Sequence, residues 1–257
     1  MRMWAMLGTV GLGGALVSLT LSIPAQNTVA GAGQDQGYLY GPAHRATSAA
    51  AESSWAGYIA TGAAPYKTVT ADWIEPEATC SPSENSAAAF WVGLDGYLNA
   101  GGSNTVEQVG STVGCIDGTP VHNAFVEFFP NPPIPIIAPI SENDSFTGTS
   151  TWNGGDSYTE TITDTTEGWT KTITGTQPGA TNTTAEVIAE APTVNSQLPL
   201  TNFGAVPFTS CMVDGQPIGA DPDVAHTSVV GASGLVDALP TPLTDNMDFA
   251  AVWENTD

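Results

Sequence analysis

Positive charge is almost missing from this chain. Its 257 residues carry 4 Lys+Arg against 26 Asp+Glu, a formal net charge of −22. Phosphate backbones are held by clustered Lys and Arg, so nucleic acid is excluded as a partner. A fold with so few cations has few ion pairs for acid to break, and one common route of acid denaturation is closed. Solubility alone would account for the acidity. Work in acid would also account for it, since protonation there brings the net charge back toward zero. Metal-ligand spacing is absent too: no two of the cysteines and histidines are suitably placed, and His44, His122 and His226 stand apart, so neither metal nor cofactor is expected. After the N-terminus no apolar run approaches the roughly 18–20 residues of a membrane span, which argues against a membrane partner. No stretch beyond that N-terminal run sustains a helical period. There is no serine in a nucleophile-elbow context, no Cys/His arrangement and no D-T-G or D-S-G segment.

What remains is a leader followed by strands. Arg2 and the apolar run Met3 to Ile23, with small residues near Ala25 and at Ala30–Ala32, predict a secretory signal over residues 1–32 and an exported protein. Residues 33–52, rich in Gly, Ala and Gln, read as a short linker or propeptide, and 53–257 as one domain. Export implies an oxidising compartment. We pair Cys80 with Cys115 as a disulfide closing a loop of about 35 residues, which leaves Cys211 over. Strands are predicted at Ser53–Ile59, Thr68–Ile74, Ala87–Leu94, Asn104–Val109, Ala124–Phe129, Ser145–Trp152, Ser157–Thr163, Thr170–Thr174, Thr184–Glu190, Phe208–Val213 and Asp248–Trp253. Turn signals such as Asn153-Gly154-Gly155 and Asp214-Gly215 separate them. Pro130–Pro139 reads as a rigid polyproline-like loop and not as strand. Many short antiparallel strands mean an all-β fold, a sandwich or jelly roll.

Alternation along these strands sorts side chains onto faces. Trp91, Gly93 and Asp95 share one face of their strand. Gln108 falls with Val106, Glu127 with Phe125 and Phe129, and Glu186 with Ile188 and Glu190. Several strands thus set one carboxyl or amide among apolar neighbours, which is costly unless the group is paired or lines a cleft. Each of these residues also has an ordinary reading, as an outward strand position or as core.

The segments SSWAGY (53–58), FWVGLDGY (90–97), TVEQVG (105–110), AFVEFFP (124–130) and TAEVIAEAP (184–192) occur in that order. Together they closely resemble the glutamic peptidases, or eqolisins, secreted acid endopeptidases with a β-sandwich of concanavalin A-like lectin/glucanase type. The resemblance runs from about Ser53 to the C-terminus. It implies a catalytic dyad of Gln108 and Glu186, with Trp55, Trp91, Asp95 and Glu127 as substrate-binding residues. It further implies protein or peptide substrates, an acid pH optimum and insensitivity to pepstatin; a monomer is expected. AFVEFFP departs from the family's A-W-Y-E-x-Y-P by replacing a Trp and the aromatic hydroxyls. A carbohydrate-active or carbohydrate-binding sandwich is the alternative, since the same fold class hosts both. Against it stands the lack of an E-x-D-x-E type signature.

Overall fold

Threonine, valine and aromatic residues at alternate positions favour a pleated, half-buried backbone, and they build nearly everything described below. The structure is a computed structural model that describes residues 53–100, 103–193 and 197–256. The expected signal and linker, residues 1–52, lie outside the described residues.

Among the described residues the strands are β1 (Trp55–Ala60), β2 (Thr68–Ile74), β3 (Ser86–Leu94), β4 (Val106–Ile116), β5 (Thr119–Phe129), β6 (Ile134–Ile136), β7 (Ser145–Gly154), β8 (Ser157–Asp164), β9 (Trp169–Thr176), β10 (Ala185–Glu190), β11 (Ala205–Val213), β12 (Gln216–Pro217), β13 (Val224–Thr227), β14 (Val229–Val230), β15 (Val236–Pro240) and β16 (Phe249–Trp253). They form two sheets. The first runs β13-β1-β10-β3-β4-β5-β6, and the second runs β14-β15-β16-β11-β2-β7-β8-β9 with β12 beside β11. The chain is therefore an all-β, antiparallel sandwich. One feature of the order matters most: β10 enters between β1 and β3, so residues near 186 lie beside residues near 93.

The core fills the space between the sheets. Phe90, Val92, Val109, Val126 and Val187 point inward from the first sheet and meet Trp73, Phe146, Ile162 and Phe208 from the second. Trp73 stacks on Phe146 with ring centroids 5.6 Å apart. Such pairs add about 0.5–1.5 kcal/mol beyond the area they bury. The opposite alternation on β1, β3, β4, β5 and β10 makes a second, smaller cluster on the far face of the first sheet.

Several details differ from the sequence expectation. The segment read as a polyproline loop contains β6, an edge strand on β5; its prolines fit there because the outer edge needs no donor. Strand β4 continues past Gly110 to Ile116. The glycine is a packing requirement and not a stop: a Cβ there would lie 2.6 Å from Trp91 Cβ and 2.1 Å from the Phe90 carbonyl oxygen. Strands β12 to β15, short and weakly patterned, were not anticipated. Cys80 and Cys115 are joined, and Cys211 is buried. His122 Nδ1 lies 3.0 Å from Glu75 Oε1. Ser111 Oγ donates to Glu75 Oε2 at 2.5 Å and accepts from Trp73 Nε1 at 2.9 Å. That chain of bonds ties the two sheets together.

Candidate active site

Register carries the site. Glu186 on β10 pairs with Gly93 on β3, Gly93 pairs with Gln108 on β4, and Gln108 pairs with Glu127 on β5. Ile59 on β1 continues the row beyond Glu186. Directly paired residues of antiparallel strands share a face, so Glu186, Gln108 and Glu127 stand side by side on the face turned away from the sandwich core. Two strand pairings separate Glu186 from Gln108, about 10 Å between Cα atoms. The residue between them has no side chain. A methyl placed on Gly93 would come within 3.0 Å of Trp91 Cζ3 and 3.1 Å of Gln108 Cβ. The glycine lets the Trp91 indole edge and the Gln108 side chain pack closely against the strand between the amide and the carboxyl.

Gln108 Nε2 donates to Glu127 Oε2 at 2.7 Å. This bond fixes the amide, leaving its Oε1 and its second N–H for other partners. Gln108 Oε1 and both Glu186 oxygens are buried without a hydrogen-bond partner among the described groups. Orphaned buried polar atoms are rare in folded proteins, and a cluster of them on one row marks a site. Burial pushes the Glu127 carboxyl up to about 8, an effect that the Gln108 bond only partly offsets. Glu186 is raised well above its ordinary value, chiefly by burial and further by the charges of Asp95 and Glu107; Thr184 opposes the shift. Burial thus favours the protonated form of Glu186 relative to an exposed carboxyl.

The aromatic residues line the next rows. Trp91 Nε1 donates to Glu190 Oε2 at 2.9 Å, and Trp55 meets Trp91 edge-on with centroids 4.9 Å apart. Phe125 belongs to the same cluster, with Tyr97 and Phe129 packed against it. The connection after β3 folds back over this face, since a Cβ at Gly96 would lie 3.1 Å from Trp55 Cη2 and 2.5 Å from Val106 Cγ2.

Two residues expected from the sequence to bind substrate have carboxylates engaged within the protein. Asp95 turns to the loop before β10. Its carboxylate accepts from the backbone N–H groups of Thr181, Asn182 and Thr183 at 2.6, 2.8 and 2.9 Å, and from the Thr181 and Thr183 hydroxyls. It organises the loop that feeds β10 and so sets where Glu186 begins. Glu127 spends one oxygen on Gln108, so that oxygen is engaged within the protein. Glu190 went unassigned in the sequence, although its alternation with Glu186 was the available signal. Glu107 was missed altogether. It faces the core behind Gln108, and its register position opposite Leu94 becomes visible only when β3 and β4 are paired.

The chain is a two-sheet antiparallel sandwich that sets Gln108 and Glu186 on one face. Comparison with known proteins gives the family. The sequence matches the Peptidase A4 family over residues 53–232, and the chain belongs to that family. Scytalido-glutamic peptidase, solved with a peptide-based transition-state analogue, is similar at 25% identity and a TM-score of 0.65, covering 80% of this chain and 100% of that one. SCP-B, an eqolisin family member solved with the tripeptide Ala-Ile-His, is similar at 24% identity and a TM-score of 0.61, with the same coverage. Aspergilloglutamic peptidase from Aspergillus niger is similar at 24% identity and a TM-score of 0.57, covering 66% of this chain and 99% of that one. No curated protein matches the sequence.

Proposed function

We propose that this glutamic peptidase is an exported acid endopeptidase that hydrolyses peptide bonds by direct attack of water, with Glu186 and Gln108 as its dyad. The observation that carries the reading is the row Glu186–Gly93–Gln108, an acid and a non-titrating amide facing each other across a glycine. In its ionised form Glu186 takes a proton from a water molecule as the water oxygen bonds to the scissile carbonyl carbon. The carbonyl π electrons move to its oxygen, and the free N–H of Gln108 stabilises the oxyanion. Collapse of the tetrahedral intermediate breaks the C–N bond, and Glu186 returns its proton to the departing nitrogen. Glu127 keeps the Gln108 amide oriented through these steps. Because burial raises Glu186, the ionised fraction needed for the first step grows as pH rises from 2, and kcat/KM rises with it over that part of the range.

Support for peptide substrates comes from the family and from the peptide and transition-state analogue seen in two solved relatives. The test is an assay of the purified protein on denatured casein between pH 2 and 5, with and without pepstatin. Cleavage that resists pepstatin is expected. No cleavage in that range, together with binding to glucan, would favour a carbohydrate-directed sandwich instead.

A further inference from the structure

Glu190 stands on the same face as Glu186, four residues further along β10, with Ile188 between them on that face. It is 1% exposed. A carboxyl so deeply buried needs a reason, because removing it from water is costly unless its oxygens are engaged. The partner is Trp91, whose indole N–H donates to Glu190 Oε2 at 2.9 Å. The opposite edge of that indole, at Cζ3, is the atom a Cβ on Gly93 would meet at 3.0 Å. Nε1 and Cζ3 lie at opposite ends of an indole, so the ring spans from Glu190 to the glycine that separates Glu186 from Gln108.

We propose that Glu190 is a positioning residue for peptide hydrolysis: by holding the Trp91 N–H it fixes the indole as the floor beneath the space between Gln108 and Glu186. The inference rests on the dyad reading above. Trp55 is the cross-strand neighbour of Glu190, and its ring is held edge-on against Trp91. The Trp55 indole lies near enough to the same carboxyl to favour its charged form without reaching hydrogen-bond geometry. One carboxyl therefore faces two indoles, and the rings brace each other. Gly110, paired with Trp91 across β3 and β4, leaves no room on that side for a side chain and lets the indole lie close to the sheet. Burial, and the Glu127 carboxyl when charged, raise Glu190 above its ordinary value, and its contacts with Trp91 and Trp55 oppose the shift. Removing the acceptor frees the ring to tilt into the space or away from it, and a displacement of about 1 Å at a reacting centre costs on the order of 10²-fold in rate.

The experiment compares wild type, Glu190→Gln and Glu190→Leu by steady-state kinetics on a peptide substrate and by the 15N–1H resonance of the Trp91 indole N–H, assigned through its loss in Trp91→Phe. In Glu190→Leu the resonance shifts and exchanges faster with solvent, and kcat falls on the order of 10²-fold with a smaller change in KM. Glu190→Gln keeps an acceptor oxygen, holds the resonance near its wild-type position and loses no more than about fivefold by the same scale. A folded Glu190→Leu with wild-type kcat, or a Glu190→Gln that falls as far as Leu, overturns the proposal. If Leu prevents folding, Glu190→Asp, which withdraws the acceptor by one methylene, replaces it with the same expected shift and loss. A wild-type protein that cleaves nothing counts against the peptidase reading, and the indole resonance still decides the Glu190–Trp91 pairing.

Discussion

At the scale of single residues the site is a matter of which position lacks a side chain. Gly93 is the clearest case. A methyl there would stand 3.0 Å from both the Glu107 carbonyl oxygen and Trp91 Cζ3, and 3.1 Å from Gln108 Cβ. All three belong to groups fixed by sheet pairing or packing. Gly93→Ala is therefore expected to lower kcat/KM on the order of 10²-fold, because the displaced groups are the site itself. The loss of stability should be about 1–3 kcal/mol, as for overpacking elsewhere. Steady-state kinetics alongside urea unfolding separates the two; full activity in Gly93→Ala would show that the gap is not needed. Gln108 and Glu186 were candidates from the ordered segments that contain them, and the structure places them on one face, two strand pairings apart. What Glu127 does was not, since its 2.7 Å bond to Gln108 depends on β4 and β5 being adjacent in register.

At the scale of elements, β10 brings Glu186 to a site otherwise built from β3, β4 and β5. Nothing local in the sequence announces that a strand beginning at Ala185 inserts between β1 and β3. Alternation told which residues share a face within a strand, and that reading holds for β4, β5 and β10 and for Trp91 and Gly93 of β3, while Asp95 lies past the end of β3 with φ +67° and leaves the alternation. Neighbourhood between strands is long-range and had to come from the structure. Asp95 is the pivot of this placement, with three backbone N–H groups and two hydroxyls of residues 181–183 bonded to it. Asp95→Ala strands one buried and several part-buried donors, and we expect a loss of about 2–3 kcal/mol in chemical unfolding. A change under about 0.5 kcal/mol, the range of an ordinary surface substitution, would mean that the loop holds itself. The same logic explains why β6 and β12 to β15 escaped the sequence. Strands of two to five residues owe their pairing to neighbours and not to their own pattern.

At the scale of the whole molecule the acid character lies inside as well as outside. Glu107 from β4 and Glu160 from β8 point between the sheets, and Ser150 Oγ donates to Glu160 Oε1 at 2.8 Å with the Glu107 carbonyl oxygen at 3.2 Å. Burial raises both acids well above 4.5; for Glu107 the Asp95 and Glu160 charges add to it, while Thr105 opposes, and for Glu160 the Ser150 bond opposes. The unfolded chain releases these protons near the ordinary value and the folded chain keeps them. Stability is thus complete below about pH 4.5 and is lost as pH climbs toward the folded values. Glu75, Glu186 and Glu190 shift the same way, as does Glu127, whose folded value is about 8. The thermal midpoint should hold up to about pH 4 and fall between about pH 5 and 8, and replacing Glu107 and Glu160 together by Leu should flatten that fall. A midpoint that climbs from pH 4 to 7 would contradict this account. Composition left solubility and work in acid equally open; that carboxyls also sit in the core was hidden, because Glu107 and Glu160 meet only across the sandwich. The central claim remains the pairing of an acid with an amide across Gly93, and it is tested most directly by the turnover of purified Gln108→Ala and Glu186→Gln at the optimum pH of the wild type. Both are expected to stay folded, with Gln108→Ala losing at least about 10²–10³-fold in kcat and Glu186→Gln losing nearly all activity, whereas normal turnover by either folded variant would contradict the account.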